Sequence, residues 1–400
     1  MAVSRDGIEW EKRGAVMLRD PNRDYENVAV AGPVVHQVKD GSFRMWYSAI
    51  GTRWEAYSIC YAESEDGIHW RRGTRYGNNL QLSPTGDGWE RQMVEYPSVI
   101  SEEGRMRLFY CGNAYGGTGI GTAVSSPLRA LPTTGPCLVR IVAADADAAW
   151  DYRIPEGLSC DEGTFKSHAY PIVDWHGPDA AGTIWHEWQT NDEDFEIIRS
   201  DALSKQLGIE FIQEIRYRIQ ITPSEHGLDL RFTVTNLTDL PFHNLDNFPC
   251  LGHPSPPFED VALERTFIVT AAGLTPLKDT HRGSGDPRRT HFHLEGGVAR
   301  KSFGASFWGE ASETVAACGA ILRTSEDGRF TIGTNWERVC EVFHNEDDHH
   351  CIHSLGAIPL LEPGETRTVC GKIVLVEGTP EQALKILGFQ PRPRNRPGAS

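Results

Sequence analysis

The sequence predicts an all-β chain: partial β-propeller-like blades followed by a large antiparallel β-sandwich. Three observations carry this. A motif returns at a shift of about 60 residues in the first third of the chain. Long two-residue alternations of apolar and polar side chains fill the stretch beyond residue 208. Helical signals are scarce. The length, 400 residues, exceeds one ordinary core and predicts two domains.

The repeat comes first along the chain. Ser4-Arg-Asp6-Gly7-Ile8-Glu-Trp10 returns as Ser64-Glu-Asp66-Gly67-Ile68-His-Trp70. Ahead of the second copy run Gly32-Pro33-Val34-Val35, Arg44-Met45-Trp46-Tyr47-Ser48 and Tyr57-Ser-Ile-Cys-Tyr61. The same order follows as Tyr96-Pro97-Ser98-Val99, Arg107-Leu108-Phe109-Tyr110 and Gly119–Ser125. Each unit therefore reads as three or four short strands. Asp-Gly supplies the positive φ of a tight turn, and the Trp beyond it offers a flat apolar face for packing between sheets. Strand-rich repeats that cannot bury both faces alone are what propeller blades look like.

These S-x-D-G-x-x-W hairpins, with Pro-led first strands and M-W-Y second strands, resemble blades of the five-bladed β-propeller glycoside hydrolases of the invertase and arabinanase type. They also resemble the Asp-box of sialidases, which carries one more residue between Asp and Gly. The resemblance spans residues 1–126 and includes about two blades and the tail of a third, where a ring needs four or more. It implies a sugar-cleaving activity. Val94-Glu95-Tyr96-Pro97 resembles the Glu-Cys-Pro segment that supplies the acid in invertase-type enzymes, and Arg19-Asp20-Pro21 resembles their Arg-Asp-Pro element. Glu95 and Asp20 are accordingly the candidate catalytic carboxylates, and Trp46, Tyr47 and Trp54 the candidate sugar-stacking aromatics. Packing between blades is the competing role for those aromatics.

Residues 127–136, rich in Pro and Thr, read as a linker, and 137–390 as the sandwich. Ile209, Phe211, Ile215, Tyr217, Ile219 and Ile221 share one face, and Leu228, Leu230, Phe232 and Val234 form the partner strand after Thr-Pro-Ser-Glu-His-Gly. That is an antiparallel hairpin with one wet face. Further strands are expected at Arg265–Thr270, Val315–Thr324 and Thr368–Glu377. The one good helix start is Thr379-Pro-Glu-Gln382, a capping box with Pro at the first turn. Residues 391–400 read as a disordered basic tail.

The stretch Thr233–Pro241 followed by Asn244-Leu-Asp-Asn247-Phe248 is similar to a strand and loop of galactose mutarotase-like supersandwiches. In that family an Asn-His pair follows the loop, and its His acts as a general acid or base on the sugar ring. Here Phe248 stands in the place of that His, so the role does not carry over.

Composition narrows the function classes. With 39 Lys and Arg against 55 Asp and Glu the net charge is −16, which disfavours phosphate backbones and anionic lipid surfaces. No apolar run approaches the roughly 18–20 residues that span a bilayer. Met1–Gly7 lacks a basic region followed by an apolar stretch, so no signal peptide is expected. The 9 cysteines form no CxxC pair and are a poor disulfide framework. The expectation is a cytoplasmic protein that binds neither nucleic acid nor membrane, with homo-oligomerisation as one way to complete the blade set.

Of the 15 histidines only His36 and His69 lie in the repeat region. His291-Phe-His293-Leu-Glu295 puts three donors on one face of a strand, a set suited to a divalent transition metal. The competing reading is the polar face of an edge strand. His344-Asn-Glu346-Asp-Asp-His349-His350-Cys351-Ile-His353 reads as a solvated acidic loop running into an apolar strand, in which Cys351 or His353 points inward. His243 and His253 flank the apolar loop Phe248–Gly252, where either can line a pocket mouth or be a structural His. No Gly-rich phosphate loop, G-x-S-x-G elbow or H-E-x-x-H helix is present.

Three functional classes follow: a carbohydrate-active enzyme, hydrolase-like or epimerase-like; a non-catalytic carbohydrate-binding module; and a metal-dependent enzyme built on the sandwich histidines. The first is the preferred reading.

Overall fold

The structure, a computed structural model, describes residues 1–38, 41–73, 79–102, 105–133, 137–143, 145–161, 163–165, 173–179, 182–189, 215–281, 288–295, 310–346 and 349–388. The chain divides into two compact units, Met1–Ser125 and Ser126–Ser400. The described residues are nearly all β, in antiparallel sheets apart from one short parallel strand pair and two isolated parallel bridges. No described helix is long and apolar enough to cross a membrane.

In the first unit the expected order of strands is present. Ala29–Gln37, Phe43–Ile50 and Tyr57–Ser64 pair in succession, and Arg71–Arg72 and Leu80–Leu82 add to the last of them. Glu95–Glu102, Arg105–Cys111 and Ile120–Val124 form the second meander. Trp46, Ile59 and Tyr61 of the first sheet cluster with Val99, Leu108 and Tyr110 of the second. The opposite face of the first sheet buries Met45, Tyr47, Ala49, Cys60 and Ala62. Both faces of Phe43–Ile50 are therefore covered, which is why its sequence shows no alternation. These two sheets and the short pair Ala2–Val3 with Glu11–Lys12 are fewer than the roughly four to eight blades of a closed ring.

The repeated loops close identically. In the second copy Gly67 N–H donates to Ser64 Oγ (2.9 Å), while Ile68 and His69 N–H both donate to Asp66 Oδ1 (2.8 Å each). In the first copy Gly7 N–H donates to Ser4 Oγ (2.8 Å), and Ile8 and Glu9 N–H donate to Asp6 Oδ1 (2.8 and 3.0 Å). Gly7 and Gly67 take φ of 78° and 72°, a region that a side chain disfavours. Trp70 packs as expected against the first sheet's outer cluster. Trp10 does not: it is 61% exposed.

The second unit holds two large sheets. One has eight strands, with Ile215–Ser224, Gly227–Asn236, Thr366–Glu377 and Phe330–Trp336 side by side. The other has eleven, among them Cys351–Leu361 paired with Phe242–Asp246, Cys250–Gly252 and Val339–Asn345. Ile215, Tyr217, Ile219, Ile221, Leu228, Leu230, Phe232 and Val234 are all buried in the core that the sheets share. From the other sheet come Tyr152, Leu251, Phe292, Val342 and Ile352. This is a two-sheet sandwich, as expected.

Several boundaries differ. Arg129–Pro132, within the stretch read as a linker, is a strand paired with Leu138–Ala143. Of Val315–Thr324 only Ile321–Thr324 is a strand, because the segment first bridges at Ala316 to Leu294. The helix Pro380–Ile386 starts where expected, with Thr379 N–H donating to Gln382 Oε1 (2.8 Å). Ile209, Phe211 and the 391–400 tail lie outside the described residues.

Candidate functional site

Alternation along three neighbouring strands builds a polar surface on the eleven-stranded sheet. Phe292, Val342 and Ile352 point into the sandwich core. Their neighbours His291, His293, Glu341, Phe343, Cys351 and His353 therefore share the other face. The strand Arg289–His293 pairs with Val339–Asn345, which sets His293 opposite Glu341 and His291 opposite Phe343.

On this face Nδ1 of His291 lies 3.0 Å from Oε1 of Glu341, and Nδ1 of His293 lies 3.8 Å from the same oxygen. His291 and Glu341 are buried, whereas the His293 side chain is 33% exposed, so the group opens toward solvent at His293. The imidazole of His291 stacks on the Phe343 ring at 4.2 Å. Neither ring nitrogen of His291 and neither carboxylate oxygen of Glu341 makes a hydrogen bond among the described residues, the 3.0 Å approach of Nδ1 to Oε1 being a charge contact only. A buried polar atom without a partner is costly, so this pair gains from any polar group that reaches it.

The metal triad expected from the sequence is thus corrected in one member. His291 and His293 do share a face, but Glu295 sits exposed in a turn beyond the strand end. The carboxylate that meets both imidazoles is that of Glu341, from the adjacent strand. Sequence spacing cannot reveal this partner, because it depends on the register of two strands far apart in the chain.

Among the described residues of the run from His344, the solvated reading fails at two positions. His344 and Glu346 are buried, Glu346 pairs with Arg323, and His350 Nδ1 lies 3.2 Å from Glu346 Oε2. Burial pushes the Glu346 carboxyl up, against the pull of Arg323. Further along, Cys351 and His353 are both buried and meet Cys250: the three donor atoms lie within 4.8 Å of one another. Burial opposes charge on Cys351, yet the Cys250 thiol and the His353 imidazole hold Cys351 well below the usual thiol range. Burial likewise opposes a charged His353, but the Cys351 sulfur raises it. Phe248, at the position of the resembled family's histidine, lies 5.1 Å from the His353 ring.

His243 and His253 are both exposed. His253 holds a left-handed backbone (φ 45°), and its ring lies 4.7 Å from that of His349. A cavity of about 480 Å³ elsewhere in this unit is lined by Trp336, Asn335, Glu337 and Lys372. Its lining includes Leu294 and Val339 but neither His291 nor Glu341.

In the first unit the candidates separate. Glu95 is fully buried, neither carboxylate oxygen has a hydrogen-bond partner among the described residues, and burial raises its carboxyl above the usual range. Asp20 is the opposite. The Asn22 N–H (3.0 Å) holds its carboxylate below the usual range, and Arg23 pairs with it at 3.0 Å. Asp20 thus sits as an ion-paired carboxylate that anchors its loop. Trp46 and Tyr47 are core residues, correcting their assignment as sugar-stacking groups: Trp46 packs on Tyr61, and Tyr47 donates its hydroxyl to buried Glu26 (2.7 Å). Trp54 is half-buried, with the Arg53 guanidinium 5.3 Å from its ring. Glu26 also pairs with Arg72 at 2.6 Å, a network that no local motif announces.

No family model matches the sequence. Two uncharacterized proteins of Mycobacterium tuberculosis, from strains CDC 1551 / Oshkosh and ATCC 25618 / H37Rv, are 40% identical over 124 residues, 31% of this chain. The chain spans 38% of the length of these curated relatives. Among solved structures, a galactose mutarotase-like protein from Lactobacillus casei is 11% identical and aligns over 70% of this chain and 100% of its own, with a TM-score of 0.36. A galactose mutarotase related enzyme from Lactobacillus acidophilus is 11% identical over 71% and 98%, with a TM-score of 0.37. The α-N-acetylgalactosaminidase of Bifidobacterium bifidum is 12% identical over 72% of this chain and 37% of its own, with a TM-score of 0.36.

Proposed function

We propose that the protein is a sugar-modifying enzyme whose chemistry resides on the outer face of the eleven-stranded sheet. The observation that supports this reading is the buried approach of His291 Nδ1 to Glu341 Oε1 at 3.0 Å, in a pair whose ring nitrogens and carboxylate oxygens make no hydrogen bond among the described residues. A carboxylate at one imidazole nitrogen favours the tautomer with the proton there, and leaves the other nitrogen as the base. Nε2 of His291 then takes a proton from a sugar hydroxyl and returns it, while half-exposed His293 meets the ligand at the mouth. A proton shuttle of this kind suits opening or isomerisation at a hemiacetal. It does not suit direct glycoside cleavage, where two carboxyl groups stand roughly 5–10 Å apart on either side of the bond.

A second reading places hydrolysis in the first unit. The buried, unpartnered Glu95, with its raised carboxyl, has the profile of a proton donor.

The test uses the full chain with a panel of free aldoses, followed by polarimetry and exchange NMR, alongside a glycoside panel. Aldose turnover that falls about 100-fold or more in both His291→Asn and Glu341→Gln supports the first reading. Turnover unchanged by His291→Asn overturns it. Glycoside cleavage abolished by Glu95→Gln alone moves the chemistry to the first unit. Sugar binding without turnover leaves a carbohydrate-binding module.

A further inference from the structure

We propose that Cys250, Cys351 and His353 form a structural zinc site, independent of the sugar chemistry above. Cys250 and Cys351 stand 101 positions apart in sequence and share no local motif. The pairing of Leu251 with Ile352 brings them onto the same face of the eleven-stranded sheet, and His353 follows on that face by alternation.

The protonation pattern of His353 is fixed by its surroundings. Its Nδ1 lies 2.8 Å from the carbonyl oxygen of Pro249. A carbonyl only accepts, so Nδ1 carries a hydrogen, and Nε2 presents its lone pair once the proton it shares with the Cys351 sulfur leaves. Nε2 faces the Cys351 sulfur at 2.9 Å. Metal-bound histidines are held in just this way, the far ring nitrogen donating to a backbone oxygen. The set is sealed: Cys250 is 4%, Cys351 3% and His353 1% exposed. The rings of Phe248 and Phe343 lie 5.1 and 4.9 Å from the imidazole. Glu156 hydrogen-bonds with Cys250 and is the natural fourth donor.

Two sulfurs, an imidazole and a carboxylate match tetrahedral zinc, and the burial of the two sulfurs and the imidazole matches a structural site. Binding releases the thiol protons and replaces the contact between Nε2 and Sγ with bonds from each atom to the cation. The cation then ties the strand Cys250–Gly252 to Cys351–Leu361, which the described register joins at one residue pair.

The experiment is metal analysis of the untagged full chain, followed by cobalt substitution. One zinc per chain and a near-ultraviolet thiolate-to-cobalt charge-transfer band are expected. Cys250→Ser, Cys351→Ser and His353→Asn each weaken zinc retention by about 10-fold or more, whereas Cys318→Ser retains it. If the ligand variants fail to fold, the cobalt spectrum of the native chain still decides. A chain that takes up neither metal, cobalt binding without the thiolate band, or zinc retained by folded forms of all three ligand variants overturns the assignment.

Discussion

The indole of Trp336 fills the space that a side chain at Gly371 would need. A methyl group there would stand 2.4 Å from Cδ2 of the ring. Gly356, on the other sheet, leaves a similar gap: a methyl group would meet the same atom at 2.7 Å. Trp336 is thus a peg between the sheets, seated against a glycine in each. Gly371→Ala or Gly356→Ala is expected to lower stability by about 1–3 kcal/mol through overpacking. Trp336→Ala, which leaves a void, is expected to cost about 3–5 kcal/mol. Urea unfolding followed by circular dichroism reads all three. A neutral Gly371→Ala would contradict the peg.

Glu26 is buried between Arg72 and the Tyr47 hydroxyl, and Asn79 donates to that hydroxyl at 2.7 Å. Removing the carboxylate strands a cation and a phenol. Glu26→Ala is expected to destabilise the first unit by about 3 kcal/mol, and adding Arg72→Met to recover part of the loss. The readout is amide exchange along Phe43–Ile50, with protection falling about 100-fold in the single variant. A double variant less protected than the single one is the contrary result.

His186 gives the second unit a pH dependence. Burial lowers its pKa from 6.5 to about 4, and its ring packs against Trp175 and Tyr217. The folded state thus favours the neutral ring, while the unfolded chain binds a proton below about pH 6.5. The contribution is complete above that pH and is lost as the pH falls toward 4, to a total of about 3 kcal/mol. His186→Gln is expected to flatten the profile across this window. Equal slopes for variant and native chain at pH 4.5–6.5 would count against it.

Glu95 acts with the opposite pH sense. Burial raises its carboxyl, so the folded first unit favours the protonated form. The penalty is absent at low pH, where both states are protonated. It develops as the pH rises through the ordinary carboxyl range. Glu95→Gln is therefore expected to stabilise the first unit more at pH 8 than at pH 4, by exchange or limited proteolysis. An equal gain at both pH values would remove burial as the cause.

Legibility in the sequence tracked the range of each interaction. The strand order of the first unit, the hairpin face from Ile215 to Val234 and the Thr379 cap rest on neighbours a few positions apart, and all three are present. Trp10 and Trp46 show the limit of local reading. The same motif packs Trp70 but leaves Trp10 exposed, and Trp46 is core because a second sheet covers it. The polar face was half legible: alternation paired His291 with His293, but Glu341 arrives by inter-strand register. The Cys250–Cys351 encounter depends on register across a hundred residues. The Glu26 network likewise needs four separate segments to meet.

The central strands of both large sheets come late in the chain. Cys351–Leu361 lies between earlier strands of one sheet, and Thr366–Glu377 joins Gly227–Asn236 to Phe330–Trp336 in the other. During synthesis neither sheet can close until these two strands have emerged, and until then earlier strands carry open edges. The sandwich therefore closes only after Glu377 has emerged, while the meanders of the first unit, paired in order, can form earlier. A nascent chain arrested before Cys351 should show a protease-resistant first unit and a digestible remainder. The surface bearing His291 and Glu341 is thus completed only once Cys351–Leu361 has paired with Val339–Asn345.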